Sequence, residues 1–387
     1  MRELVINSTV QHTLLLFVPL IFASILKVAK LRSWSMVAGI IGGILLGPAV
    51  FGAVAPEYWE GIFQGGTIEK QQYEQFVRQQ KADMLAAQQL GADESILLHI
   101  QADQHYEQSL KRTLWDEAKW KDQRTLRNYA ITLIALIFLS GSVRNRVKGT
   151  APPLMSLSVG VWAAIVPCGI IALIAIWFWD SSVSSALALG ACIAAGPWTL
   201  ARWEQRAADT SEQGGSSLMI RCGRVAWVVA SSIAIYATWH LQGAMSLVWL
   251  LPLLLLPVIW IVPMKNWHWL TIFVDYAAIP SVMATALVLL NPIESFSLWP
   301  IVFVLLLCAD ARWLGGIIGL KLLGGRNSNN SMQLAIPLVD AGVSQLCMAT
   351  LLFLAGVLTA SFTLAVIIGA VFLEHTATIR MKFAKIN

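Results

Sequence analysis

The chain has 387 residues, 57% of them apolar and 13% charged, with a mean hydropathy of +0.66. Soluble domains carry charge on roughly 25% of their residues, so this composition excludes one and describes a polytopic membrane protein. The formal net charge of +5 sits largely in loops between apolar stretches, and no nucleic acid is needed to explain it.

Stretches of about 20 apolar residues, the length that crosses a bilayer as a helix, fall near 11–29, 34–55, 127–143, 152–178, 183–202, 217–240, 243–263, 268–290, 297–320, 332–354 and 358–379. That predicts eleven spans. The first carries Lys27, Lys30 and Arg32 at its carboxyl end and no small-residue cleavage pattern, so it reads as a retained span rather than a secretory signal. Basic residues also follow the third span (Arg144, Arg146, Lys148), surround the fifth-to-sixth loop (Arg202, Arg206, Arg221, Arg224), and follow the seventh, ninth and last. Positive loops stay cytoplasmic. The expected topology therefore has the amino terminus outside and the carboxyl terminus inside, in a membrane such as the bacterial inner membrane.

Between the second and third spans, residues 56–126 hold twelve of the 22 acidic residues and eight basic ones, in a Gln-rich stretch. This is expected to be a separate module outside the membrane. Ile68, Tyr73, Phe76, Val77, Met84 and Leu85 have helical spacing up to Gly91, and Asp93 can cap a second helix through Ile96, Leu97, Ile100, Tyr106, Leu110, Leu114 and Trp115. Two readings of this hairpin stay open. Its two apolar stripes pack on each other as an elaborated loop, or Tyr106, Trp115 and Trp120 anchor a protein partner. The chain thus divides into 1–55, the insertion 56–126, and the remaining spans in 127–242 and 243–387.

Only ten acidic residues lie outside the insertion, and four of them, Asp275, Asp310, Asp340 and Glu374, fall in long apolar segments. A charged side chain there costs about 2.5–3.5 kcal/mol on insertion scales, so each marks a pathway, a partner or a proton site. Asp275 reads as an interfacial or entrance residue near the cytoplasmic end of its helix. Glu374 and His375 read as facing headgroups or a funnel at the inner boundary of the last span. Asp310 and Arg312 are two residues apart and point in different directions. Arg312 is therefore expected to pair with a carboxylate on another span, with Asp340 the candidate. The pair either replaces an ion, or leaves Asp340 as a proton site for which Arg312 competes.

Cys168, Cys192, Cys222, Cys308 and Cys347 lie in or beside spans and read as packing residues, without a disulfide framework. Most tryptophans, Trp177, Trp179, Trp239, Trp267, Trp269 and Trp299 among them, sit near span ends as an aromatic belt. There is no phosphate-binding loop, nucleophile elbow, HExxH or CxxC pattern. No enzyme, cofactor or metal site is expected.

The run Val37 to Gly52 (VAGIIGGILLGPAVFG) sets Gly39, Gly42, Gly43 and Gly47 along one helix before Pro48, which lets helices approach closely. It resembles the first core helix of the monovalent cation:proton antiporter superfamily, with its sodium/hydrogen exchanger fold. Asp275 to Leu290 (DYAAIPSVMATALVLL) is similar to that family's Pro-containing helix, and Ala311 to Gly325 (ARWLGGIIGLKLLGG) to the helix after it. Arg312 stands where the family often has Lys or Arg. The last pair of spans, Met332 to Met381, follows the family's closing pattern.

The resemblance implies two inverted repeats of five helices, spans two to six and seven to eleven, working by alternating access. It implies broken helices at Gly196-Pro197 in the fifth span and at Pro337 to Gly342 in the tenth, where an ion is bound. The next helix, Cys222 to Trp239 (CGRVAWVVASSIAIYATW), has no carboxylate where the family has an Asp pair or Asn-Asp. Ser231 and Ser232 offer hydroxyls instead. The spans are also fewer than the family commonly has.

The expected function is cation:proton antiporter-like transport, with altered ion coupling. Its ion site is drawn from Gly196, Pro197, Thr199, Ser231, Ser232, Asp310, Arg312 and Asp340. Trp198 and Trp227 would lie close to the ion path as plugs, and Asp275 along it. The alternative is a protein of the same fold that does not transport and holds a partner through its outer hairpin. Membrane lipid, a monovalent cation, a proton and a second copy of the chain are the other expected partners.

Overall fold

Inside a bilayer every backbone N–H and C=O must be satisfied within the chain, which leaves helices as the ready solution for apolar runs. The computed structural model describes residues 8–29, 34–89, 94–144, 153–195, 213–253, 268–324, 335–339 and 342–383. Among these the protein is all-helical, without a strand. Five helical stretches are long and apolar enough to cross a membrane: Thr9–Val28, Trp34–Val54, Ser156–Trp179, Trp269–Leu290 and Leu298–Leu322. The all-helical class read from the sequence is the class the structure has, and five such stretches, against eleven expected spans, are compatible with an integral membrane protein.

The chain divides into two compact units, one formed by residues up to Leu14 with Leu45–Tyr129, the other by Leu15–Ile44 and the chain from Ala130 onward. The first unit contains the start of α1 (Ser8–Val28), the end of α2 (Trp34–Leu46), two single turns α3 (Phe51–Val54) and α4 (Pro56–Trp59), and a π turn Glu60–Gln64. The paired helices α5 (Thr67–Gln89) and α6 (Glu94–Asp122) follow, with the first turn of α7 (Arg124–Arg144).

Two consecutive glycines with positive φ, Gly65 (70°) and Gly66 (61°), turn the chain into α5, and the Gly66 N–H donates to Asp122 Oδ2 at 2.7 Å. That bond ties the start of the hairpin to its end. Along the hairpin Tyr73 stacks on Trp115 with centroids 5.9 Å apart. Gln80, 5% exposed, accepts at Oε1 from Gln108 Nε2 at 2.7 Å and exchanges longer bonds with the Gln104 side chain and carbonyl. A polar pair of helices is thus held by amide bonds and one aromatic stack rather than by an aliphatic core.

The second unit is a helical bundle. Its elements are the rest of α1, α2 and α7, then α8 (Pro153–Trp179), α9 (Val183–Ala194), α10 (Gln213–Gln242) and a 3₁₀ segment Ala244–Leu250. They continue with α11 (His268–Phe273), a π turn Val274–Ala278, α12 (Ile279–Leu290), the single turn α13 (Pro292–Ser295) and α14 (Leu298–Gly324). A 3₁₀ turn Ile336–Val339, α15 (Gly342–Leu354) and α16 (Ala360–Phe383) complete it.

Small residues set the closest contacts. A β-carbon at Gly315 of α14 would stand 2.7 Å from the Trp162 carbonyl oxygen of α8, and one at Gly160 of α8 would stand 2.6 Å from the Cys222 carbonyl oxygen of α10. On α2, Gly39 meets Pro280 and Met283 of α12 in the same way. Pro280 has no N–H to give the preceding turn, and the helix widens to the π turn just before it.

Two helices stop short. At 12 and 13 residues, α9 and α15 are each about 18–20 Å long, little more than half of a ~30 Å hydrocarbon core.

Candidate functional site

One end of the bundle can be identified by its contacts. Trp179, the last residue of α8, packs edge-on against Phe303 of α14 (4.7 Å) and Phe362 of α16 (5.3 Å). Ser184 Oγ at the start of α9 lies 3.1 Å from His240 Nδ1 at the end of α10, and Gln242 Nε2 donates to the Gly356 carbonyl just past α15 at 3.0 Å. The carboxyl ends of α8, α10 and α15 and the amino ends of α9, α14 and α16 therefore meet here, at what is called the Trp179 end. Helical rise then gives depth. At ~1.5 Å per residue, Ala194 is about 17 Å below Val183, Arg312 about 21 Å below Leu298, Gly342 about 18 Å below Leu354 and Glu374 about 21 Å below Ala360. The ends of the two short helices and these two charged residues lie at one level.

Arg312 is 1% exposed. Its Nε–H donates to the Ile193 carbonyl, Nη2–H to the Ala195 carbonyl at 2.8 Å and Nη1–H to the Val339 carbonyl at 3.3 Å. The first two acceptors end α9 and the third ends the 336–339 turn. Carbonyls in the last turn of a helix have no intrahelical donor and gather the negative pole of the helix dipole. The planar guanidinium, with donors on three nitrogens, satisfies carbonyls from two separate elements at once.

One turn before Arg312 on the same face of α14 is Cys308, whose Sγ accepts from Gln345 Nε2 of α15 at 2.8 Å. Gln345 is wholly buried, and its Oε1 has no hydrogen-bond partner among the described residues. The same holds for Ser231 Oγ on α10, 4% exposed, and for Ser281 Oγ on α12, which is fully buried. Buried oxygens without donors are costly, about 1–3 kcal/mol each, and this unit has them on three helices, α10, α12 and α15, of which the first two contact the third. All five cysteines are buried and none is in a disulfide. Among the described residues no three His, Cys, Asp or Glu side chains come together to hold a metal ion.

No protein-family model and no curated protein matches the chain. The site therefore has to be judged on its geometry. Of the residues singled out in the sequence, Gly196, Pro197, Trp198, Thr199 and Asp340 lie outside the described residues. Arg312 and Ser231 point into the bundle, whereas Asp310 is exposed and Ser232 is turned outward, its hydroxyl donating to the Val228 carbonyl at 2.9 Å. Trp227 is completely buried and packs on Phe138 of α7, centroids 5.2 Å apart. Asp275 is half-buried in the π turn before Pro280; beside it Lys27 Nζ sits 4.1 Å from the Tyr276 ring. In the hairpin Trp115 is spent on Tyr73, Trp120 lies under the Arg127 guanidinium, and Tyr106 is 71% exposed.

Glu374 lies two residues before the end of the apolar stretch Ala360–Thr376, in keeping with a position near the boundary of the last span, while α16 itself runs on to Phe383. A β-carbon built on Gly342 would stand 3.0 Å from Glu374 Oε2 and 3.1 Å from the Ala370 carbonyl oxygen, so the carboxylate lies against the amino end of α15. Gln345 escaped the sequence reading altogether. The signal for it was an amide in an otherwise apolar stretch, the same signal that singled out the acids.

Proposed function

We propose that the chain is an integral membrane secondary transporter of the cation:proton antiporter type, with its ion site where α9 and the 336–354 segment break off in mid-bundle. The observation that carries this reading is Arg312, a buried guanidinium that holds the carbonyl ends of both broken elements at one depth. Helix ends inside a bilayer need charge, water or an ion. A site whose polar ends are gathered around one cation, with Asp340 beside it in sequence, can take up and release positive charge.

Support for inverted repeats comes from the packing. Helices α8, α9 and α10 pack on one another, and α14, the 336–354 segment and α16 have contacts of the same kind, with α8 against α14 between them. Equivalent helices run oppositely: α8 rises to the Trp179 end and α14 descends from it. The Trp179 end is then the outer one, since Lys321 lies near the far end of α14 and the basic residues Arg380 and Lys382 near the far end of α16. Alternating access would work by movement of one repeat against the other, with Ser231 Oγ and Gln345 Oε1 as neutral ligands where α10 has no acid.

Ion-driven dissipation of a pH gradient in proteoliposomes tests this, with Na⁺, K⁺ and chloride compared and Asp340→Asn beside wild type. Cation-dependent flux that the variant loses is the expected result. A second reading, a non-transporting subunit of this fold, is favoured by Trp227, whose indole fills the bundle on the helix that lacks a carboxylate. Silence towards every ion, together with a stable co-purifying partner of the hairpin, would establish that reading instead.

A further inference from the structure

Among the acids in apolar segments, the described ones are placed very differently. Asp310 is exposed on the outside of α14, and Asp275 is half-buried in the π turn Val274–Ala278. Glu374 is half-buried, and its carboxylate approaches the amino end of α15 through a contact that only a residue without a side chain permits at Gly342. The two polarities of the break are thus met by two different side chains. Arg312 covers carbonyl ends, and Glu374 faces the N–H end, where the helix dipole favours an anion.

We propose that Glu374 is a proton-carrying residue of the transport site, a role that rests on the transporter reading above. Charged, the carboxylate is favoured by the positive end of α15; protonated, it releases that end, so the two protonation states favour different placements of α15 against α16. Half-burial leaves part of the residue accessible, which a proton carrier requires. The proton binds at a carboxylate oxygen and leaves from it, with no other bond changed.

The elements packed against α16 supply few other charges. On α14 these are Arg312, turned to the carbonyls, buried Cys308 one turn before it, exposed Asp310 and, one end away, Lys321; α15 has Cys347 and α9 has Cys192. Neither α12 nor the 336–339 turn has a titratable group, and Glu294 of α13 is near the Trp179 end. On α16 itself His375 is exposed and Arg380 and Lys382 lie in the last turn, and Asp340, two residues before Gly342, lies outside the described residues.

The experiment uses the full chain in proteoliposomes over a range of pH, as wild type, Glu374→Gln and Glu374→Asp. Glu374→Gln is expected to lose most of the proton flux and the pH dependence of what remains, while Glu374→Asp keeps flux with a displaced pH profile. Wild-type flux that survives Glu374→Gln with its pH profile unchanged overturns the inference and leaves the transporter standing. If wild type itself moves no ion, the transporter reading fails, and with it the transport role. Infrared difference spectra of the detergent-purified chain between acidic and alkaline buffer then report the titration alone. A carboxyl band that Glu374→Gln removes supports a protonating Glu374; a spectrum identical in both proteins overturns it.

Discussion

Gln80 in the hairpin and Ser231 in the bundle are both buried polar residues on helices, yet one is engaged and the other is not. Gln80 gives and takes hydrogen bonds with Gln104 and Gln108 across the helix pair. Ser231 Oγ has no partner among the described residues, and neither has Gln345 Oε1 or Ser281 Oγ. A region whose only task is to hold its shape can pair its polar groups with each other. A region that binds and releases something must keep some of them uncommitted, at a cost in stability. Trp115 Nε1 of the hairpin likewise lacks a hydrogen-bond partner among the described residues, so the contrast lies between Gln80 and Ser231 rather than between every polar group of the two regions, and each half of it can be attacked by substitution.

The largest effect is expected at Arg312, where the bundle does satisfy its polar groups. Arg312→Leu leaves the Ile193, Ala195 and Val339 carbonyls without their donor. A loss of about 3–5 kcal/mol is expected, because each orphaned buried carbonyl costs about 1–3. Thermal denaturation of the detergent-purified chain measures it. Arg312→Lys should fall between, since an ammonium keeps the charge but cannot reach three carbonyls as a planar fork does. Equal melting temperatures for wild type and Arg312→Leu would mean that the broken ends are held by something else.

Next in size is a change that tests packing alone. Gly315→Ala forces a methyl to within 2.7 Å of a backbone oxygen of α8, which has no freedom to swing aside. A loss of about 1–3 kcal/mol is expected. Gly169, in the same helix pair, has open space around it, so Gly169→Ala should instead gain a few tenths to about 1 kcal/mol through helix propensity. Opposite signs for two identical substitutions would confirm that close approach, not glycine content, holds α8 to α14.

Parts of this were legible in the sequence. Charge scarcity gave the membrane class, and the positions of Asp310 and Arg312 two residues apart placed them on different faces, as found. The helical spacing from Ile68 to Leu85 marked α5, and the stripe through Tyr106, Leu110 and Leu114 marked α6, while Gly91 and Asp93 lie outside the described residues. The amide bonds of Gln80 were not legible, since Gln-rich composition says polar but not which amide meets which. Nor was the site of Glu374. A residue near the carboxyl end of an apolar run is read as a boundary residue, and only tertiary packing, through a glycine on a different helix, brings it to the break. Ser232 shows the opposite error: adjacent serines share a motif in sequence, but a helix turns them 100° apart.

Gln80→Ala and Ser231→Ala bring the two regions into one measurement. Removing the Gln80 side chain deprives Gln108 Nε2 of its acceptor at 2.7 Å and the Gln104 carbonyl of its donor at 3.5 Å, so stability should fall by about 1–2 kcal/mol. Hydrogen exchange should place that loss in α5 and α6, with protection in α8 and α14 unchanged. Ser231→Ala removes a buried hydroxyl that has nothing to bond to, and the smaller, apolar side chain should raise stability, by about 1 kcal/mol. If the transporter reading is right, that gain comes with lower ion flux, as is usual where a group is kept for function rather than for stability. A Ser231→Ala protein that loses stability as Gln80→Ala does would show that the hydroxyl is engaged after all, and the difference between the two regions would disappear.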